Sequence, residues 1–368
     1  MRAGFFVWTL CLLAAAPLAA RATPPLFESD ALLEVSLSAD FSALCHPRET
    51  EDCEFTPSTL VYREANGEKI SLPVAIQVRG GWRSLSRNCS VPPLWVRFDP
   101  ATTKATLFEG QTLLPLTTHC GRGLSADPAD ANIRRSDYEQ YLLREYLGYR
   151  LYRQLTEYSL GARLLRIAYP KPGSNRGVRH YGFFTEHFDD SAKRTGTQHL
   201  ERGSFDPDLL DAQSAARLAL FQYMIGNTDW SIDRERNIML LQTADGRQLP
   251  VPYDLDMSGL VDAGYAGPAP DLPIDDVRDR YYLGYCQPGI DWNALSADYL
   301  AARPGILETI EGVAGLSNNS KRSTVRFLDD FFDTLESNEE RASRIVEACQ
   351  PWPPGSDTSY ANGTRGGR

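Results

Sequence analysis

The segment Ile225–Gly259, IGNTDWSIDRERNIMLLQTADGRQLPVPYDLDMSG, constrains the fold more than any other stretch of the chain. Asp245-Gly246 is a favoured pair for a two-residue hairpin turn. If those two residues are the loop, Asn237 lies opposite Asp254, and Leu241 and Met239 lie opposite Pro250 and Pro252. Proline cannot donate to a strand ladder, so it is accepted where the N–H would face away from the partner strand. Counted outward from the turn, both prolines fall on such non-hydrogen-bonded sites, and so does the Asn237/Asp254 pair. That geometry predicts the two side chains on one face, with Cα atoms about 4.5 Å apart.

An amide oxygen beside a carboxylate suits Mg²⁺, a hard cation held by one or two carboxylates plus substrate phosphates. Asp229, in the loop after a helix end, is placed to orient a hydroxyl or accept its proton. Protein kinases use the same order: a base-like Asp, a metal-binding Asn, a hairpin, a metal-binding Asp. The plain alternative stays open at this point. Asn227-Thr228-Asp229 also reads as a helix-ending turn, and Asp254 as a cap or an arginine partner.

The chain begins MRAGFFVWTLCLLAAAPLAARA, the charged start, apolar run and small-residue site of a secretory leader spanning residues 1–22. No later run is long and apolar enough to span a bilayer. Loss of Arg2 and Arg21 with the leader leaves 36 basic against 48 acidic residues, a net charge of −12. That argues against a general nucleic-acid binder, which needs basic surface to neutralise phosphates. Six cysteines remain, Cys45, Cys53, Cys89, Cys120, Cys286 and Cys349, an even number that reads as up to three disulfides in an exported chain. Closeness in sequence suggests Cys45–Cys53 and leaves the other pairings open. A zinc site is disfavoured, because no C-x-x-C occurs and the histidines are scattered.

Residues 32–117 read as β-rich. Asn66-Gly67 divides two strand-like runs, and Val74, Ile76 and Val78 share one face, as do Leu94, Val96 and Phe98. A long helix is predicted over 133–158, strands around 162–169 and 179–188, and a second helix within 207–225. Asp206 and Pro207 give that helix its start signal and Gly226 its end. Further helices are expected near 292–314 and 319–349. The order predicts a two-lobed α+β fold: residues 23–190 a β-rich N-terminal lobe with one long helix, 191–353 a mainly helical C-terminal lobe. Residues 354–368 read as a disordered tail.

With these segments in view, GNTDW…RNIMLL…LPVPYDLDMSG resembles the active-site segment of the CotH kinase family, the spore-coat protein kinases, and more distantly the HipA-type kinases. IQVRGGWRS, LWVRF and LFEGQTLLPL are similar to that family's Arg-Gly-rich turn, strand and hairpin. IRRSDYEQYLLREYLGYRLY resembles its first helix, and HYGFFTEHFDD a strand with Gly, aromatic and Glu. The resemblance covers about residues 73–260. It implies an atypical protein-kinase fold that uses ATP and Mg²⁺ or Mn²⁺ to phosphorylate a protein Ser or Thr. On matching positions it implies Asp229 as the catalytic Asp, Asn237 and Asp254 as metal ligands, and Asp256 as a further carboxylate. A secreted or periplasmic kinase follows, or a catalytically silent relative that binds an envelope partner.

Three departures accompany the likeness. Asp229 to Asn237 is wider than the usual catalytic-loop spacing, as if residues were inserted at Ser231–Arg234, which makes Asp233 an alternative base. The strand expected to supply a phosphate-pairing lysine carries Arg97, and arginine is not a free substitute for lysine. The turn Arg79-Gly80-Gly81-Trp82-Arg83 is a candidate phosphate cover through its backbone N–H groups, or simply a turn. Glu139 or Glu145 on the first helix is a candidate partner for Arg97. Glu186 is placed on the strand that would line an adenine pocket. Arg278 and Arg280 stand where a kinase holds its activation segment.

Overall fold

A computed structural model describes residues 25–41, 44–46, 53–89, 91–120, 137–170 and 177–354. The leader reading for residues 1–22 and the tail reading beyond residue 354 lie outside the described residues.

Along the chain, the first half contains α1 (Pro25–Glu28), β1 (Leu33–Ser38), β2 (Thr56–Arg63), β3 (Lys69–Val78), β4 (Leu94–Phe98), α2 (Pro100–Thr103) and β5 (Leu113–Thr117). It continues with α3 (Asp137–Arg153), β6 (Ala162–Pro170) and β7 (Gly177–Thr185). The two-lobed, kinase-like α+β arrangement expected from the sequence is not what forms. The seven strands close into one barrel in the order β1-β2-β3-β4-β5-β7-β6, with helices mostly elsewhere. Closure comes from β1, which pairs antiparallel with β2 and parallel with β6, Leu33 facing Leu165 and Ser36 facing Ala168. An open β-rich lobe has free edges. Here pairings across more than a hundred residues leave none in the ring, and such pairings have no local sequence signature.

The alternation read from the sequence sets the barrel interior. Val74, Ile76, Val78, Leu94, Val96 and Phe98 are buried there with Leu165, Ile167 and Phe184. β6 and β7 are apolar on both faces: Leu164 and Phe183 belong to a separate apolar cluster with Leu143, Tyr146 and Leu147 of α3, the Phe183 ring centre 5.9 Å from that of Tyr146. The helix therefore docks against the barrel wall and shares a second apolar cluster with the rest of the chain.

The second half adds α4 (Phe188–Thr195), β8 (Gln198–His199), α5 (Ala212–Met224), β9 (Ile238–Gln242), β10 (Gln248–Pro252), α6 (Trp292–Gly312), α7 (Asn318–Glu336) and α8 (Asn338–Arg341). α5 starts later than Asp206-Pro207 predicts. Asp211 is its cap, accepting the Ser214 N–H at 2.8 Å, whereas Asp206 accepts from Asp208 in a preceding turn. Three disulfides form, Cys45–Cys53, Cys89–Cys120 and Cys286–Cys349, in keeping with an extracellular or otherwise oxidising compartment. Among the described residues no helix is long and apolar enough to cross a membrane.

The β9–β10 hairpin forms, in a different register from the expected one. Thr243 donates to Arg247 and Gly246 to Thr243, so the loop is the three residues Ala244-Asp245-Gly246. Of the Asp245-Gly246 pair, only Gly246 has a positive φ (88°), which is a type I turn closed by a glycine bulge. Leu240 then faces Pro250, Ile238 faces Pro252, and the Tyr253 N–H donates to the Asn237 carbonyl at 3.0 Å. The prolines still occupy non-hydrogen-bonded sites, so they fit both registers and could not choose between them. The extra loop residue sets Asn237 opposite Tyr253, not Asp254.

Candidate functional site

The site is assembled from the end of β3 and the segments flanking the hairpin. Past Val78 the chain makes the Arg79–Arg83 turn, in which Gly80 has φ 99°. Ser84 Oγ donates to Gly81 O at 2.8 Å and Asn88 Nδ2 to Trp82 O at 2.8 Å, and the Cys89–Cys120 disulfide follows directly. The turn is therefore held from within, and Arg83 projects from a fixed base. Its guanidinium lies 3.3 Å from Glu145 on α3, 3.1 Å from Asp254 and 3.5 Å from Asp256.

Asp229 and Asp254 arrive from opposite ends of the hairpin. Gly259 donates to Gly226 O at 3.0 Å and Leu260 to Ile225 O at 2.9 Å, which ties the end of α5 to the segment beyond β10. A side chain at Gly259 is barred, because its Cβ would stand 2.6 Å from Val277 O. Asn237 and Asp254 both adopt left-handed backbone, φ 53° and 55°, a conformation that Asn and Asp tolerate better than other residues with a side chain. The Asp254 N–H is fixed at 2.9 Å on the Tyr149 hydroxyl.

These parts enclose a cavity of about 460 Å³. It is lined by the Arg79–Arg83 turn and by Asp229, Asp254 and Asp256, and Trp82, Met257 and Tyr265 contribute apolar surface. Charge and burial compete throughout it. Burial lowers the Arg79 pKa, only partly offset by Asp254. Burial also opposes charge on Arg83, but Asp256, Glu145 and Asp254 together outweigh it and hold the guanidinium firmly charged. Burial pushes Glu145 up to about 8, since Arg83 is shared with two other carboxylates. Burial likewise raises Asp256 and Asp229, against the pull of Arg83 on the first and Arg236 on the second. Burial is thus the largest cause of each of these upward shifts, with the arginines offsetting part of it.

The structure brings together Arg79, Gly80, Gly81, Asp229, Asp254 and Asp256. Asn237 is adjacent but serves Asp229: its Nδ2 donates to Asp229 O at 2.7 Å and to Asp229 Oδ2 at 3.0 Å. The wide Asp229–Asn237 spacing is absorbed by a small closed loop, in which Ser231 and Arg236 exchange backbone bonds of 3.1 and 2.9 Å. Asp233 sits in that loop, bound by Ser231 Oγ and by Tyr285 Oη at 3.1 Å, and does not line the cavity. Arg97 faces outward from β4, its guanidinium 4.1 Å from the Phe55 ring centre, so it is no phosphate partner here. Glu186 is fully buried between the Gly161 N–H at 2.6 Å and Arg194 at 2.9 Å, a structural carboxylate away from the cavity. Glu139 binds His180 at 3.0 Å, leaving Glu145 as the helix glutamate in the site. Arg280 is spent on the carbonyls of Met224 and Phe327. The Arg83–Glu145 pair and the Trp82/Tyr265 surface escaped the sequence reading, because their partners lie 62 and 183 residues away.

Asp229, Asp254 and Asp256 share the cavity without converging on a point. Among the described residues no group of three or more His, Cys, Asp or Glu is disposed to hold a metal ion by itself. Compared with protein-family models, with curated proteins and with solved structures, the chain matches none.

Proposed function

We propose that the cavity binds a nucleoside triphosphate and transfers its terminal phosphoryl group to a protein Ser or Thr hydroxyl, with Mg²⁺ or Mn²⁺ as cofactor. One observation carries the reading: a single cavity of nucleotide size is lined by both arginines of a Gly-Gly turn and by three aspartates, with Arg83 bound to two of them. The likeness of the same segments to CotH kinases supports it at the level of residues, and the proposal makes no use of the kinase fold.

The donor set fits a shared cation and not a caged one. Asp254 and Asp256 are two carboxylates near each other, and Mg²⁺ commonly takes one or two carboxylates and completes its shell with phosphate and water. Burial raises the Asp256 pKa and the neighbouring Asp254 and Asp229 add to it, a repulsion that a bound cation would offset. When bound, the cation would offset phosphate charge. Arg79 lines the cavity with its guanidinium 5.0 Å from the Trp95 ring centre, and it would be the first phosphate ligand. Arg83 would exchange part of its contact with Asp254 for phosphate oxygen. Asp229, oriented by Asn237 and Arg236, is the proton acceptor. As the acceptor oxygen bonds phosphorus and the bond to the nucleoside diphosphate breaks, the hydroxyl proton passes to Asp229. The acceptor would be a protein met outside the cytosol, in the periplasm or beyond the cell.

A thermal-shift titration with ATP and Mg²⁺ tests the binding step. Wild type should gain several degrees in Tm at saturation, and Asp254→Asn should gain none. A silent binding module is the second reading, favoured by one observation: Arg83 already occupies Glu145, Asp254 and Asp256 together. Labelled ATP separates the two. Label on a protein hydroxyl, lost in Asp229→Asn, supports transfer; tight ATP binding without label supports the silent module.

A further inference from the structure

We infer that Trp82 is the platform on which the base of the nucleotide stacks, an inference that rests on the nucleotide reading of the same cavity. Trp82 and Leu209 are the two exposed large apolar side chains among the described residues, and Trp82 is 46 % exposed. Unlike Leu209, Trp82 forms part of the cavity wall. Its backbone is fixed, with its carbonyl accepting from Asn88 and the turn closed by Ser84. Its indole is backed by Tyr265, ring centres 5.7 Å apart and planes tilted by 31°. Tyr265 is backed in turn by Tyr138, ring centres 6.1 Å apart and planes at 26°. Tyr265 Oη donates to Asp256 at 3.0 Å, so the layered rings are tied to the acidic end of the site.

A folded chain leaves a tryptophan this open at a cost in apolar exposure, and a rigid ring beside phosphate-binding cations gives that exposure a use. The neighbouring arginines select an anion; the indole face selects a flat ring attached to it. A nucleoside triphosphate carries both, and inorganic tripolyphosphate carries only the first.

The test compares the two probes by calorimetric titration in the presence of Mg²⁺, a readout that does not depend on the indole. Wild type should bind ATP at least about ten-fold more tightly than tripolyphosphate, at the lower end of what base–aromatic stacking contributes. Trp82→Ala should lose that preference while its tripolyphosphate affinity stays within about two-fold, and Trp82→Phe should restore most of it. Equal affinity of the wild type for both probes would overturn the stacking role and leave the phosphate site standing. An ATP preference that persists in Trp82→Ala would overturn it as well. Failure of both probes to bind the wild type would remove the nucleotide reading and this inference with it.

Discussion

Around Arg83 a single guanidinium answers three carboxylates, and two of these, Glu145 and Asp256, are buried. Arg83→Met would strand them, so it should cost about 3–5 kcal/mol by chemical denaturation at pH 9, the range for breaking a buried pair. Protonation softens the loss. The folded-state pKa of Glu145 is raised from 4.5 to about 8, so between those values the folded chain holds a proton that the unfolded chain does not. Its contribution is complete below pH 4.5 and fades as pH rises through 8. Glu145→Gln should therefore flatten the decline of wild-type stability across that window. An unchanged slope would show that Glu145 is ionised in the folded protein. His119 acts with the opposite sign. Its ring stacks on His180, centres 3.8 Å apart, and burial, helped by His180, depresses its pKa well below 6.5. Stability from this group is present above pH 6.5 and is lost as pH falls, and His119→Phe should reduce the acid-side slope. At this scale the aspartates were legible because they stand in one short segment. The role of Asn237 was not, since a one-residue change of register sets it opposite Tyr253 instead of Asp254, and the closed loop at Ser231–Arg236 brings Asp229 within reach of its amide.

Both hairpins read from Gly-containing dipeptides turned out to share a form. Glu64-Ala65-Asn66-Gly67-Glu68 closes as Thr243-Ala244-Asp245-Gly246-Arg247 does, with φ 87° at Gly67 and 88° at Gly246. The dipeptide marks the turn correctly but does not tell a two-residue loop from a three-residue one, because glycine serves the left-handed position in both. Nothing lies within 4 Å of a Cβ built at Gly246, so Gly246→Ala tests backbone strain alone. It should cost about 1 kcal/mol and Gly246→Asn less, measured by denaturant midpoint. Asp211→Ala should cost about 1 kcal/mol by uncapping α5, whereas Asp206→Ala should cost little. The reverse ranking would restore the earlier helix start. Element types were readable from periodicity, and boundaries shifted where a later cap outcompeted an earlier one.

Closure of the barrel depends on β1 meeting β6, and closure of the second half depends partly on Cys286–Cys349, which spans 63 residues beside the Cys286–Gln350 backbone bond of 2.8 Å. Replacing both of these cysteines by serine should lower stability by about 2–4 kcal/mol, read as a fall in denaturant midpoint. Alternating apolar residues announced strands and an even cysteine count announced disulfides. Neither carries the long-range pairing that turns a sheet into a ring, which is why the architecture was misread while the segments were found. The cavity lies where barrel turn, α3 and hairpin flanks meet, so its chemistry belongs to the whole molecule. Calorimetric titration of ATP, with and without Mg²⁺, into wild type and Asp254→Asn tests that chemistry most directly. The account predicts binding to wild type that requires Mg²⁺ and disappears in the variant. Absence of heat at millimolar ATP, or binding indifferent to both Mg²⁺ and Asp254, would contradict it.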